Sequence, residues 1–450
     1  MHSIINNFIK DCTFQDDVVV NNYSKDGLNF TIIYMIQLAD IKRFNFEIKD
    51  HINIDNKYNL SDQFLGICQT ITDVSINNLE LLLYSGKIII FFDDIYYNFE
   101  YSSKPKRSIT DSILDPEDPM SSRDGLIEDL NDNLTLLKRR IKTNELNITK
   151  LELGDISKTE TAIIYLKSNY DKLSLKRILE CLKTIKNQAI TSINDISSLY
   201  QNNYLLPQVF NTSSPEIIVT ALLKGKIVIL LDNSPIALIL PVQLSLFTNS
   251  KSYINTPKYF SIFNHLFVSV LFLFSVFFMG LFIAIISFHR GTLSITFLSN
   301  IQTTERGTNW PMFVEVIIVY LLFEFYRFST SRSTNNYIQN IIIILGGLFI
   351  GQNAIESGII GAIILFLTSV SYISVFAVTN NTYLITSINI FRFFILLLSF
   401  TLGLVGFILA SIIVIFYLYK QANDGVYYLY PFIPFDYQMF KKFFITNKNK

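Results

Sequence analysis

Between Ile262 and Ser287 the chain carries no Asp, Glu, Lys or Arg, and His265 is its one titratable side chain. A helix rising about 1.5 Å per residue would reach across the ~30 Å hydrocarbon layer of a bilayer over this length. Lipid offers no partner to backbone polar groups, so such a segment must be helical. Half of all residues are apolar and 14 % are aromatic, which exceeds what an ordinary soluble chain exposes or buries. Charge is crowded instead into Ser102–Lys186, so the composition divides near Pro257 into a soluble part and a membrane part.

Further apolar runs follow, from Asn340 to Ile359, Gly361 to Val378 and Ile388 to Tyr419, the last interrupted by Arg392. Pro311–Phe328 is apolar except for Glu315, Glu324 and Arg327, and is read as a partial or full span. Glu324 and Arg327 stand three apart and can pair on one helical face. The basic tail, with Lys420, Lys441, Lys442, Lys448 and Lys450, favours a cytosolic end on the side of the N-terminal region. An even number of crossings is then required. The expectation is four full spans with 311–328 partial, leaving Arg290, Arg306, Arg327 and Arg332 outside. Gln352 and Glu356 sit one turn apart in a glycine-rich stretch with Asn353; at membrane depth they must face protein or water. Interhelical hydrogen bonding and pore lining both fit them.

The soluble part reads as two related α/β lobes, 1–103 and 123–256, joined by a linker at 104–122 that contains Pro105, Pro116 and Pro119. Strand-like runs at Val18–Val20, Phe30–Tyr34 and Gly86–Asp93 are matched by Ile148–Leu153, Thr161–Leu166 and Gly225–Asp232. Ile33-Tyr34 pairs with Ile164-Tyr165, and Gly86-Lys87-Ile88 with Gly225-Lys226-Ile227, at offsets of roughly 131 and 139 residues, so the order of elements repeats. Neither Gly-Lys pair has the surroundings of a phosphate loop, and each reads as a turn into a strand. Arg123–Lys142 is expected to be an amphipathic helix whose last turn carries Lys138, Arg139 and Arg140. That cluster reads either as a solvated end suited to the helix dipole or as a contact for lipid headgroups or a partner subunit. The expected architecture is an α/β soluble region of two lobes, an α-helical transmembrane bundle over 257–420 (spans near 262–287, 340–359, 361–378 and 388–419), and a cytosolic tail over 421–450.

The expectation for chemistry is negative. Equal numbers of basic and acidic residues, 37 of each, give no footing for a nucleic-acid partner. Cys12, Cys68 and Cys181 have no metal-site spacing and read as reduced thiols, and four histidines leave little for catalysis. No hydrolase elbow, metalloprotease motif or nucleotide fingerprint occurs, and neither an enzyme nor a cofactor is expected. The N-terminus lacks the pattern of a signal peptide, which leaves targeting to the first span.

From Ser121 to Asp436 the chain resembles the A subunits of spore germinant receptors, the GerA family. The resemblance is carried by Ser122-Arg123-Asp124-Gly125, Leu134–Ile141, Lys158–Leu166, Pro207-Gln208, Gly225–Pro241, His289, Pro311–Glu315, Gly351-Gln352 with Glu356 and Gly358, Arg392, and Leu429–Pro434. The chain departs from the family pattern at Ser121-Ser122, where Gly-Pro is common, and at Ile360-Gly361, where Ser-Pro is common. The resemblance implies a multi-pass protein of the spore inner membrane, with its lobes in the cytosol. It also implies a transporter-like B subunit that binds nutrient, a lipoprotein C subunit, and self-association, as a pentamer, into a nutrient-gated ion channel. Gln352, Glu356, Glu315 and Glu324 would then be the groups placed to attract cations, with Arg327 beside Glu324. A non-conducting membrane scaffold, a self-contained transporter and the paralog carried with dipicolinate-release proteins are the alternatives.

Overall fold

The computed structural model describes residues 18–25, 28–36, 38–51, 68–92, 95–101, 124–183, 189–201, 205–248, 258–296, 298–299, 310–332, 351–423, 426–433 and 435–437. The linker, Cys12, Arg306, the start of the Asn340 run and the lysines from Lys441 onward lie outside the described residues. Two compact units divide the chain at Pro241–Val242, with residues 204–207 grouped with the second; the expected boundary was 256.

The first unit holds two five-stranded sheets of identical topology. β1 (Val18–Lys25), β2 (Leu28–Met35), β3 (Gln69–Thr70), β4 (Ile88–Phe92) and β5 (Ile95–Phe99) lie in the order β1-β2-β4-β5-β3. β6 (Leu146–Leu153), β7 (Thr159–Leu166), β8 (Phe210–Thr212), β9 (Ile227–Leu231) and β10 (Ala237–Leu240) lie in the order β6-β7-β9-β10-β8. The internal repeat is therefore a repeat of fold: Ile33 of β2 lies opposite Ile89 of β4, and Ile164 of β7 opposite Val228 of β9. The expected mixture of helix and sheet is present, with every described strand pair antiparallel.

Helices cover both faces of each sheet, as the unbroken apolar runs of β4 and β9 require. In the first lobe, Phe44 of α1 (Ile41–His51) packs on Ile32, Ile88 and Ile90, while Leu79 and Leu83 of α2 (Ile76–Tyr84) pack on Ile33 and Ile89. α3 (Leu130–Arg140) starts later than Arg123, because Asp129 caps it by accepting a 2.9 Å bond from the Asp132 N–H. α4 (Lys172–Lys183) and α5 (Ile193–Gln201) send Ile178, Leu182, Ile193 and Ile196 onto Ile227 and Ile229, and α6 (Pro215–Leu223) begins with proline in its first turn.

The two Gly-Lys pairs terminate helices. Gly86 (φ 82°) donates to the Leu83 carbonyl and Lys87 to Leu82; Gly225 (φ 80°) donates to Leu222 and Lys226 to Ala221. This is the left-handed helix cap that glycine adopts without steric cost, repeated in both lobes. It carries Lys226 into the buried start of β9, 6 % exposed.

The second unit is helical: α7 (Leu244–Thr248), α8 (Lys258–Phe288), α9 (Met312–Arg332), α10 (Gly351–Glu356), α11 (Ala362–Val378) and α12 (Thr382–Lys420). By length and composition, two described helices could cross a membrane, Tyr259–Phe288 and Thr382–Lys420; Ala362–Val378 is shorter but apolar. α9 has 21 residues, about 31 Å of rise, which is the length of a full crossing.

The run expected as a single span from Ile388 to Tyr419 is doubled back on itself. Gly403 inside α12 has φ 63° and ψ −140°, outside the helical region. The rings of Phe391 and Tyr417 stand 5.7 Å apart, and a methyl at Gly406 would meet the Leu398 carbonyl. Ser387 near the start of α12 and Tyr417 near its end both hold the Leu205 peptide, Ser387 by donating to its carbonyl and Tyr417 by accepting from its N–H at 3.1 Å. A straight helix would separate positions 391 and 417 by ~39 Å. Gly403 is needed there because its φ is left-handed and because a Cβ would meet the Phe288 ring at 2.9 Å. Two arms of α12, 382–402 and 404–420, therefore run antiparallel.

Helix directions follow from the contacts. Met312 and Val316 of α9 and Ile364 of α11 join Ile283 and Ile286 of α8 in one cluster, and Phe313 stacks on Phe400 at 4.0 Å. α9 and α11 thus begin at the Gly403 end of the unit, where α8 finishes. Arg327 reaches Thr386 at 3.4 Å, so α9 finishes at the Thr382 end.

Two outcomes test this fold. Cysteines placed at Phe391 and Tyr417 in a cysteine-free background should be joined by a short bifunctional thiol reagent within a single chain; no intrachain product would mean an unbroken helix. Burial, with repulsion from Lys224 added and attraction from Asp171 opposing, pushes the Lys226 amine down to about 8. The unfolded chain then holds the extra proton between pH ~8 and ~10.5, so this group makes stability rise with pH across that window and weakens the fold below it. Lys226→Met should raise the midpoint of thermal unfolding at pH 7 and flatten that rise.

Candidate functional site

A polar cluster occupies the interior of the helical unit, assembled from α8, α9, α11 and the first arm of α12. Its centre is Arg392, 2 % exposed. The guanidinium donates from Nε to the Ser275 carbonyl of α8 at 2.7 Å, from Nη2 to the Ser371 carbonyl of α11 at 3.1 Å, and from Nη1 to Asn389 Oδ1 at 3.1 Å. Serine at 275 and 371 keeps both helix backbones uncrowded where the guanidinium lies against them, as small residues do between membrane helices. A carbonyl has a second lone pair to offer beyond its own helix, and that of Ser371 also accepts from the Ser374 hydroxyl at 2.7 Å. Arg392 Cζ also lies 5.0 Å from the Tyr320 ring and 5.7 Å from the Tyr372 ring, where the faces of the π-systems attract a cation.

Asn389 passes the connection to α9. Its Nδ2 donates to Glu324 Oε2 at 3.0 Å, and the Tyr372 hydroxyl donates to the same oxygen at 3.0 Å. Arg327 pairs with Glu324 through Nε at 3.1 and 3.2 Å and through a further Nη2 contact, one helical turn away on α9. The Glu324–Arg327 pair expected from the three-residue spacing is therefore present, and it lies at the rim, with side chains 38 % and 20 % exposed. A cavity of about 120 Å³ opens against Tyr320, Glu324, Tyr372, Asn389 and Arg392, closed on the apolar side by Leu396 and Phe393.

The remaining expected residues stand apart from this cluster. Glu315 is fully buried; its Oε2 accepts from the Gly361 N–H at 2.9 Å and so caps α11, and its Oε1 has no partner among the described residues. Gln352 donates to Glu356 at 3.0 Å, and both are exposed on α10, whose Ala354 packs against Val319 near the start of α9. In the first unit, Lys138 is 2 % exposed and is withdrawn from any surface, Arg139 is half-buried, and Arg140 forms a 3.3 Å pair with Asp124. Only Arg139 and Arg140 of that trio can reach a headgroup or a partner.

Arg392, Asn389, Tyr320 and Tyr372 were not singled out from the sequence as site residues. One signal was available for the first of them. An arginine in the middle of an apolar run must face the bundle interior and find acceptors there, whatever its neighbours. For the tyrosines no such signal exists, because aromatic residues are common throughout this chain. Among the described residues no group of three or more His, Cys, Asp or Glu stands close enough to hold a metal ion.

Comparison with known proteins gives the following. The GerA family model, Bacillus/Clostridium GerA spore germination protein, matches residues 4–449. Spore germination protein XA of Bacillus anthracis is 29 % identical over 79 % of this chain and 73 % of its own. A protein of Bacillus subtilis named as the uncharacterized membrane protein YfkQ is 25 % identical over 95 % of this chain and 85 % of its own. The crystal structure of the N-terminal domain of the A subunit of the Bacillus megaterium spore germinant receptor GerK3 aligns with 53 % of this chain and 92 % of its own, at 21 % identity and a TM-score of 0.39.

The cluster makes a graded prediction. Arg392→Leu removes three charge-assisted bonds worth roughly 1.5–3 kcal/mol each and regains part of that as relieved desolvation, so a net loss of at least ~2 kcal/mol is expected. Glu324→Gln and Arg327→Gln alter a half-exposed pair and should each cost under about 1 kcal/mol. Thermal unfolding of the three purified variants checks the order; equal losses would place the weight of the cluster on the rim pair.

Proposed function

The chain belongs to the GerA family of spore germination proteins, and from that premise we propose that it is the A subunit of a nutrient-sensing germinant receptor, self-associating into an ion channel whose opening triggers germination. Its setting is the inner membrane of a bacterial endospore. Its partners are a transporter-like B subunit that binds the nutrient and a lipoprotein C subunit, and the self-association is a ring of five copies. Its work is coupling rather than catalysis: nutrient on the partner favours one of two helix arrangements by its differential affinity, and cations pass in one of them.

The observation that carries this reading is the buried Arg392 cluster, a charged assembly that links four helices of an apolar unit. Soluble proteins rarely bury a guanidinium without a carboxylate against it, and membrane proteins place such groups where ions or conformational changes are handled. The alternating helix directions support a multi-pass protein. α8, α9, α11 and the two arms of α12 make five traverses. The basic tail belongs with the lobes on the cytosolic side in this reading, as the positive-inside tendency favours. The exposed Gln352–Glu356 pair is then available to a path between copies, Glu315 and Glu324 lie within each copy, and Arg139 with Arg140 remains available to a neighbour or to lipid.

Ion release from cells expressing this chain with its B and C partners tests the reading, with and without amino acids and sugars. Nutrient-dependent flux is expected, and Glu356→Gln should reduce it several-fold without altering assembly. Full assembly with no flux under any nutrient would replace the channel with a non-conducting scaffold or the paralog associated with dipicolinate release.

A further inference from the structure

At one edge of the second lobe's sheet, two leucines stand in water among lysines. Leu173, in the first turn of α4, is 66 % exposed, and Leu223, at the end of α6, is 60 % exposed. Asn169, just before α4, donates from Nδ2 to the Leu223 carbonyl at 3.3 Å, which brings the two helix ends to the same place. The Lys167 N–H donates to the Glu145 carbonyl at 2.8 Å, so the connection from α3 into β6 lies along this edge as well. Residues 139–145, 167–176 and 223–226 together hold eight Lys and Arg against two acids, Glu145 and Asp171. Both acids are engaged within the lobe. Glu145 accepts from the Ser168 hydroxyl, and Asp171 from the Leu173 N–H at 3.0 Å and the Ser174 hydroxyl at 2.9 Å. Lys167, Lys172, Lys176 and Lys224 are exposed, with Glu180 3.9 Å from Lys176 one turn further along α4. β10 ends at this edge too, with Leu240 opposite Ile227, and residues 242–257 lead from there to α8.

We propose that this edge docks on the anionic phospholipid surface of the bilayer that holds the chain's own helices, with Leu173 and Leu223 entering the headgroup layer and Lys172, Lys176 and Lys224 meeting lipid phosphates. The inference rests on the membrane setting proposed above. Exposed apolar side chains ringed by lysine are the composition that binds a membrane interface, where apolar burial and attraction to anionic lipid add together. Lysine suits the role because its stem lies along apolar surface while its amine stays with the phosphates. The sixteen residues from 242 to 257 span at most ~58 Å when fully extended, so the edge is tethered near the bilayer and a weak contact is enough to hold it there.

The test uses the full chain in nanodiscs, with a nitroxide at Leu173→Cys, Leu223→Cys or Ile156→Cys in a background free of other cysteines. Ile156 is 78 % exposed between β6 and β7, at the opposite edge, and serves as the aqueous reference. In discs containing phosphatidylglycerol, labels at 173 and 223 should be shielded several-fold from a water-soluble nickel chelate and opened to oxygen, while the label at 156 stays in water. Neutral discs, about 1 M salt with its Debye length of ~3 Å, or the combined substitutions Lys172→Gln, Lys176→Gln and Lys224→Gln should remove most of that shielding. Labels at 173 and 223 that match Ile156 in anionic discs overturn the proposal, as does shielding that survives the three substitutions in full or that appears only when partner subunits are added. Should the cysteine-free chain fail to fold, hydrogen exchange on the unaltered chain decides: slower exchange over 167–176 and 222–226 in anionic than in neutral discs supports docking, and equal exchange refutes it. A chain that does not enter discs at all removes the membrane setting and this proposal with it, whereas aqueous labels on a chain that has entered refute the docking alone.

Discussion

A guanidinium inside an apolar helical unit has to be given acceptors, and the way Arg392 receives them organises the rest. Two of its three bonds go to main-chain carbonyls, of Ser275 on α8 and Ser371 on α11, which no side-chain substitution elsewhere can supply. The helices must therefore approach at those serines and in that register. Tyr320 and Tyr372 cover the guanidinium, and Asn389 relays it to Glu324, which brings α9 into the same assembly. Apolar contacts between membrane helices are weakly discriminating because lipid offers similar ones, so a buried polar bond that cannot be remade elsewhere fixes the arrangement.

The same constraint explains why one long apolar run becomes a hairpin. Thr382–Lys420 has the length of nearly two crossings, and hydropathy alone cannot tell a tilted helix from a folded pair. The information sits in two glycines, Gly403 with its left-handed φ and Gly406 against the Leu398 carbonyl, and in the position of Phe288 over the turn. In sequence these are two glycines among several. The lobes were far more legible, because β-branched runs such as Ile227–Leu231 leave little choice but a central strand, and because the second copy of the pattern repeats the order of the first.

Of the candidate site, pairs set by helical spacing were readable: Glu324 with Arg327, and Gln352 with Glu356. Contacts that cross between helices were not. Glu315 was read by its charge as a candidate for an ion path, and nothing in its spacing announced that it caps α11 through Gly361, forty-six residues away along the chain. Lys138 was grouped with Arg139 and Arg140 as a surface cluster, yet the turn of α3 that exposes Arg140 points Lys138 inward. A sequence gives the charge and its spacing on one helix; which helix receives it depends on tertiary packing.

A protein that couples one site to another needs an element with two arrangements and a physical reason to occupy one of them. In the proposed coupling role the cluster supplies that reason: while Arg392 holds its carbonyls, α8 and α11 are held at one separation. Spin labels at Tyr259 on α8 and Phe376 on α11, both exposed and both toward the Thr382 end, report that separation by pulsed electron resonance. A narrow distance distribution is predicted for the wild-type chain, broadened in Arg392→Gln and unchanged in Glu324→Gln. A distribution that stays equally narrow without Arg392 would contradict the account.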